Sequence, residues 1–191
     1  MRQINTLIVG GARSGKSDFA QELALKSAQP VLFIATAEAG DEEMKQRIEK
    51  HRKTRPATWR TLEVATNVGS QTLQKIGKAQ TVIVDCITLL VNNIFSQYID
   101  PASESIDAAL IEKAVMAESN NLVDCINKAD ASFIIVSNEV GLGLVPPNKM
   151  SRLYRDLLGK ANQKLAQSVD EVYLMVAGIP VPIKPTKAIR R

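Results

Sequence analysis

Short apolar runs alternate along this chain with longer stretches in which apolar residues recur every three or four positions. The runs Thr6–Val9, Val31–Ala35, Val82–Val84, Phe133–Ser137 and Glu171–Val176 are rich in Val and Ile and barely alternate, as strands covered on both faces do. Trp59–Val64 reads as a further short strand near a sheet edge. Val181–Ile183 reads as a last one, followed by a loose tail near 184–191. The segments between predict helices over Gly15–Ala28, Asp41–Lys53, Ser70–Gly77, Thr88–Tyr98, Ser103–Ala129 and Asn148–Ser168. In the last of these, Leu153, Leu157, Leu158, Ala161 and Leu165 form one apolar stripe. Such alternation predicts an α/β fold, a mostly parallel sheet flanked by helices and joined by right-handed crossovers. Sheets of this kind bind ligands beyond the carboxyl ends of their strands. Chemistry is therefore expected just after Val9, Ala35, Val84 and Ser137.

A length of 191 residues fits one domain over 1–191. A chain of this size buries roughly 70% of its unfolded surface, so it needs no disulfide or structural metal to fold. Cys86 and Cys125 lie in apolar surroundings with no CxxC or Cys/His cluster, which reads as two buried, reduced thiols. The apolar run at the start is too short for a signal-peptide core, and no stretch approaches the ~20 apolar residues of a membrane span, so a cytoplasmic location is expected. Aromatics are only 4% and none is interleaved with basic residues, which argues against a nucleic-acid platform. The net charge of +4 suits polyphosphate ligands.

The octapeptide Gly10-Gly11-Ala12-Arg13-Ser14-Gly15-Lys16-Ser17 matches GxxxxGK[ST], between a predicted strand and a predicted helix. Its glycines let backbone N–H groups turn inward around a β-phosphate, and the helix adds its positive end. Lys16 is placed to reach the β- and γ-phosphates and the Ser17 hydroxyl to ligate Mg²⁺. The expected fold is thus P-loop NTPase-like, of the RecA-like kind, with a nucleoside triphosphate as ligand. Asp85, ending the run Val82–Val84, is the candidate second anchor for Mg²⁺, although an aspartate there could equally cap the next helix. Glu139 follows the next strand in Ser137-Asn138-Glu139-Val140-Gly141-Leu142-Gly143, where it could accept a proton from a substrate hydroxyl or be a solvated turn residue.

The only histidine, His51, lies on a predicted helix that is acidic at its start and basic at its end. Met44, Ile48 and His51 share one face, so a packed, hydrogen-bonded imidazole is one reading. The other is nucleophilic, because a neutral imidazole can attack phosphorus and carry a nucleotide covalently. Lys50, Arg52, Lys53 and Arg55 would hold it neutral and also attract polyphosphate, yet the same charges could be a solvated helix end.

Taken together, several segments resemble the bifunctional adenosylcobinamide kinase/adenosylcobinamide-phosphate guanylyltransferases of cobalamin biosynthesis. They are the octapeptide after Val9, Ile34-Ala35-Thr36-Ala37, Asp41-Glu42-Glu43-Met44 with Arg47-Ile48, and His51 followed by Arg55-Pro56-Ala57-Thr58-Trp59-Arg60-Thr61. Asp85-Cys86-Ile87-Thr88, Asn138-Glu139-Val140-Gly141 with Gly143 and Val145-Pro146, and Asn162-Gln163-Lys164-Leu165-Ala166 continue the likeness. The resemblance implies that ATP or GTP phosphorylates adenosylcobinamide, and that GTP then gives GMP to the product, with Mg²⁺, through a guanylylated histidine at His51. It implies catalytic roles for His51, Lys16 and Glu139, nucleotide contacts at Gly10 to Ser17, Thr36 and Arg52, and metal support at Ser17 and Asp85. It also implies a homo-oligomer, a trimer. Some relatives carry glutamate where Asp85 stands; the shorter side chain favours a water between carboxylate and metal. Two other readings are a P-loop kinase of another metabolite, with no covalent intermediate, and a P-loop switch module, whose guanine-reading NKxD segment is missing here.

Overall fold

The computed structural model describes residues 3–27, 29–38, 40, 42–53, 55–98 and 107–184; within 42–53 the side chains at 43, 44, 47, 50 and 51 are outside the described set. The chain alternates as the pattern predicts: β1 (Thr6–Gly10), α1 (Lys16–Ser27), β2 (Val31–Ala35), α2 (Glu42–Lys53), β3 (Arg60–Glu63), α3 (Val68–Lys75) and β4 (Thr81–Asp85). It continues with α4 (Ile87–Tyr98), α5 (Ala108–Lys128), β5 (Ser132–Val136), α6 (Lys149–Ser168), β6 (Glu171–Val176) and β7 (Ile179–Lys184). One seven-stranded sheet forms, in the order β3-β2-β4-β5-β1-β6-β7. Every pairing is parallel except β6 with β7. The short strand expected at an edge is indeed the edge strand β3. Residues 185–191 of the predicted tail are outside the described set.

The central strands are apolar on both faces because both are covered. Leu7, Val9, Leu32, Ile34, Val82, Val84, Phe133 and Ile135 point into one core cluster with residues of α4, α5 and α6. Ile8, Phe33, Ala35, Ile83, Ile134 and Val136 point the other way, against Ala20 and Ala24 of α1. Period-2 alternation within each strand thus divides two cores rather than core from water.

Helix ends follow local chemistry where that chemistry is local. Asn148 caps α6, its side-chain oxygen accepting from the Ser151 N–H at 2.7 Å. Asp107 caps α5 in the same way, accepting from Leu110 N–H at 3.0 Å. This cap sets the helix start at Ala108, whereas the sequence suggested Ser103, a residue outside the described set. Helix α3 begins at Val68 rather than Ser70 for a tertiary reason. The Glu118 carboxylate of α5 accepts from the N–H groups of Asn67 (2.8 Å) and Val68 (2.7 Å), and Asn121 accepts from Ser70 N–H at 2.9 Å. These bonds satisfy donors that a helix otherwise leaves open.

Candidate functional site

The segment between β1 and α1 folds back on itself at the carboxyl end of β1. Three of its residues have positive φ: Gly10 at 156°, Arg13 at 56° and Gly15 at 90°. A β-carbon on Gly10 would stand 2.7 Å from the Met175 carbonyl oxygen, so a glycine is required there by contact as well as by conformation. The loop is tied to both neighbouring strands' ends. Glu139 N–H, just after β5, donates to Gly10 C=O at 3.0 Å, and Gly178 N–H, in the β6–β7 turn, donates to Ser14 C=O at 3.1 Å. Gly11, Ala12 and Arg13 are exposed, Gly15 and Ser17 are half-buried, and Ser14 and Lys16 are buried. The Lys16 ammonium donates to Gly11 C=O at 2.6 Å, inside the loop that it would share with phosphate. Burial lowers its pKa, an effect opposed by nearby acidic groups that include Asp85.

Asp85 enters the site through register. It pairs with Ala35 on one side and Val136 on the other, and Val136 in turn aligns with Ile8. Ala35, Val136, Ile8 and, two residues back, Ile83 all face the α1 side of the sheet. Strand alternation therefore turns Asp85 to the face on which Lys16 opens α1. The carboxylate's charge acts on both Lys16 and Arg55. The Ser17 hydroxyl, in the first turn of α1, and the Asp85 carboxylate are oxygen donors of the kind Mg²⁺ accepts beside phosphate oxygens. Among the described residues there is no cluster of three or more His, Cys, Asp or Glu that could hold a metal ion.

The segment after Asp85 is held by Thr36. Its hydroxyl donates to Cys86 C=O at 2.7 Å and accepts from Cys86 N–H at 2.8 Å, while Thr36 N–H donates to Asp85 C=O at 3.1 Å. Asn93 of α4 donates to Thr36 C=O at 2.8 Å. The Thr36 side chain is fully buried, bonded on both sides to the Cys86 backbone beside the Asp85 strand end. Burial first, and then Asp85, push the Cys86 thiol up to about 11. Both cysteines are free; Cys125 is buried as expected and Cys86 only partly so.

Glu139 lies one strand over, beside Gly10, with its carboxylate accepting from Gly141 N–H at 2.7 Å. It opens onto a polar cavity of about 390 Å³ that Arg155, Lys160, Asn162 and Gln163 of α6 also line. Asn162 fixes this corner. It accepts from the Ser137 hydroxyl at 2.6 Å and donates to Asn138 C=O at 3.0 Å. Thr88 accepts from Asn138 N–H at 2.8 Å. Sequence patterns gave no role to Asn162, because a polar residue at a buried helix position carries no local signal of its partner 25 residues away.

Helix α2 joins β2 to the edge strand β3. His51 falls on this helix, but its side chain lies outside the described residues, as does that of Arg47. Among the described side chains of α2, Ile48 is half-buried and the others are exposed. Arg52 is one of the exposed group, 3.9 Å from Glu63 of β3. Beyond the helix, Arg55 stacks its guanidinium 3.7 Å above the ring of Phe33.

The structure thus brings Lys16, Ser17, Asp85 and Glu139 to one end of the sheet and leaves Arg52 at its margin. The profile of the cobinamide kinase / cobinamide phosphate guanyltransferase family matches residues 6–183. The bifunctional adenosylcobalamin biosynthesis protein CobU of Escherichia coli is 40% identical over 179 residues, covering 93% of this chain and 98% of that one. The CobU protein of Salmonella typhimurium gives the same identity and coverage. The bifunctional adenosylcobalamin biosynthesis protein CobP of Pseudomonas aeruginosa is 40% identical over 178 residues, covering 93% of this chain and 96% of its own. A phosphate loop, a neighbouring strand-end aspartate and a match this long leave one conclusion: the chain belongs to the cobinamide kinase / cobinamide phosphate guanyltransferase family of enzymes.

Proposed function

We propose that this enzyme phosphorylates adenosylcobinamide with a nucleoside triphosphate and then transfers GMP from GTP to the phosphorylated product through His51. The observation that carries the reading is the convergence of Lys16, Asp85 and Glu139 at adjoining strand ends around the glycine loop. In the kinase step the aminopropanol hydroxyl attacks the γ-phosphorus and gives its proton to Glu139, and the β–γ bridge breaks to release the diphosphate. In the second step a neutral His51 nitrogen attacks the α-phosphorus and the α–β bridge breaks, releasing pyrophosphate. An oxygen of the acceptor phosphate then attacks the same phosphorus, breaks the P–N bond and forms adenosylcobinamide-GDP. Lys16 and the loop N–H groups of Gly10 to Gly15 hold the phosphate chain in both steps. Ser17 and Asp85 hold Mg²⁺, which when bound neutralises phosphate charge. Thr36 keeps the Asp85–Cys86 segment in place, and Arg13, Arg47 and Arg52 meet the polyphosphate.

One triphosphate pose does not present both its α- and γ-phosphorus to attack. Either α2 shifts between the steps or the nucleotide takes two poses, and the exposure of α2's described side chains is compatible with a shift. The protein is a cytoplasmic homotrimer in this reading. Free thiols suit that compartment, and exposed Leu142, Leu144, Val145, Ile179, Val181 and Ile183 suit a subunit contact. No described helix is long and apolar enough to cross a membrane.

The test is incubation with Mg²⁺ and GTP labelled at the α-phosphate. Acid-labile, alkali-stable label on the protein, absent from His51→Ala, is the expected result. No label on a protein that still binds nucleotide would remove the covalent route and leave a P-loop kinase of another metabolite, without a covalent intermediate, as the better reading.

A further inference from the structure

Arg55 has entered so far only as one of several cations near His51, yet its surroundings are unusual. It follows α2 in a turn where its N–H donates to Arg52 C=O at 3.3 Å. Its guanidinium lies 3.7 Å over the Phe33 ring, on the α1 face of the sheet. Phe33 pairs in register with Ile83, and Asp85 follows two residues later on the same face. Arg55 Nε is buried and, among the described residues, has no hydrogen-bond partner. A buried donor left open costs on the order of 1–3 kcal/mol, so such a group persists where a ligand completes it. The stack against Phe33 fixes the plane of the guanidinium, which leaves its edge for an oxyanion.

Lys16 stands at β1, Asp85 at the end of β4 and Arg55 above β2, with β5 between the first two and β4 beside β2. Lys16 and Arg55 both lie within the influence of the Asp85 charge. The loop and Lys16 enclose the β-phosphate, and the γ-phosphate is the one directed from there toward the metal-supporting carboxylate. We infer that Arg55 is a catalytic residue that donates to the γ-phosphate of the nucleotide and stabilises the charge on that group as it transfers. This rests on the triphosphate occupying the glycine loop as proposed above. Burial lowers the Arg55 pKa, but the group stays a cation at any physiological pH.

The two reactions use this contact differently. Phosphoryl transfer spreads charge over the γ-oxygens, whereas guanylyl transfer develops it at the α–β bridge. Arg55→Gln is therefore expected to lower kcat of the kinase step by about 100-fold or more, with KM for the triphosphate within about threefold. GMP transfer to the pre-phosphorylated acceptor is expected to fall by less than about tenfold. Arg55→Lys restores little, because a point charge lacks the fork, and methylguanidinium added to Arg55→Ala restores kinase turnover. A Phe33→Leu enzyme, which keeps the guanidinium and loses its platform, is expected to fall between. Equal losses in both reactions, or a raised KM with unchanged kcat, would overturn the inference. So would unchanged kinase turnover in a variant whose melting curve matches the wild type. Labelling of His51 in wild-type protein is read separately, so failure of the covalent route is distinguishable from failure of this one.

Discussion

The two ends of the site are built differently. The glycine loop is tied to its neighbours by backbone bonds from Glu139 and Gly178, and its lysine is buried. Helix α2, between β2 and β3, shows exposed polar side chains wherever they are described, apart from Ile48. A group that must hold one phosphate chain in two reactions benefits from preorganisation. A group that attacks in only one of them has to enter and leave. The contrast suggests that phosphate binding is rigid here and that the choice of reaction lies with the α2 side.

The largest expected effect tests the shared half. Lys16→Ala should lower both kinase and GMP-transfer turnover by about 10³-fold, measured with each acceptor separately. Loss of one activity alone would break the comparison, since the loop would then serve a single reaction. Next is the contrast in packing itself. In native-state hydrogen exchange, amides of α2 should exchange at least about tenfold faster than those of α1, and GTP should slow them. Equal protection of the two helices in the free enzyme would remove the basis for a moving α2.

A smaller effect concerns the wall between the two ends. Thr36→Val replaces a hydroxyl that both donates to and accepts from the Cys86 backbone. Leaving those two buried groups open should destabilise the protein by about 1–3 kcal/mol, seen in denaturant unfolding. Lower activity should accompany it, because Asp85 adjoins the loosened peptide. A stable Thr36→Val enzyme with raised KM for nucleotide would instead return Thr36 to direct contact.

How much of this was legible in the chain follows a physical division. The strands Val31–Ala35 and Glu171–Val176 stand where the apolar runs put them, and the glycine loop was recognisable from eight consecutive residues. These features are local in sequence, and burial on both faces makes their composition unmistakable. What depended on distant partners was not legible. Glu118 caps α3 from 50 residues away, Thr36 faces Cys86 from the same distance, and Asn162 secures Ser137 and Asn138. Arg55 looked like one cation among several near His51 until the fold set it on Phe33.

The smallest effect on stability gives the finest test of the margin. Arg52 and Glu63 approach only to 3.9 Å and are both largely exposed, so solvent screens the pair. Arg52→Ala should therefore change unfolding free energy by less than about 0.5 kcal/mol and leave the melting curve in place. Its expected consequence lies in function, since an exposed arginine one residue from His51 can meet polyphosphate as α2 approaches. KM for GTP should rise about three- to tenfold in GMP transfer, more than it does in the kinase step, and the difference should shrink as salt is raised. An equal rise in both would place Arg52 on the shared phosphate path. No rise at all would leave it a solvated partner of Glu63, and the reach of α2 toward nucleotide would then rest on His51 and Arg47.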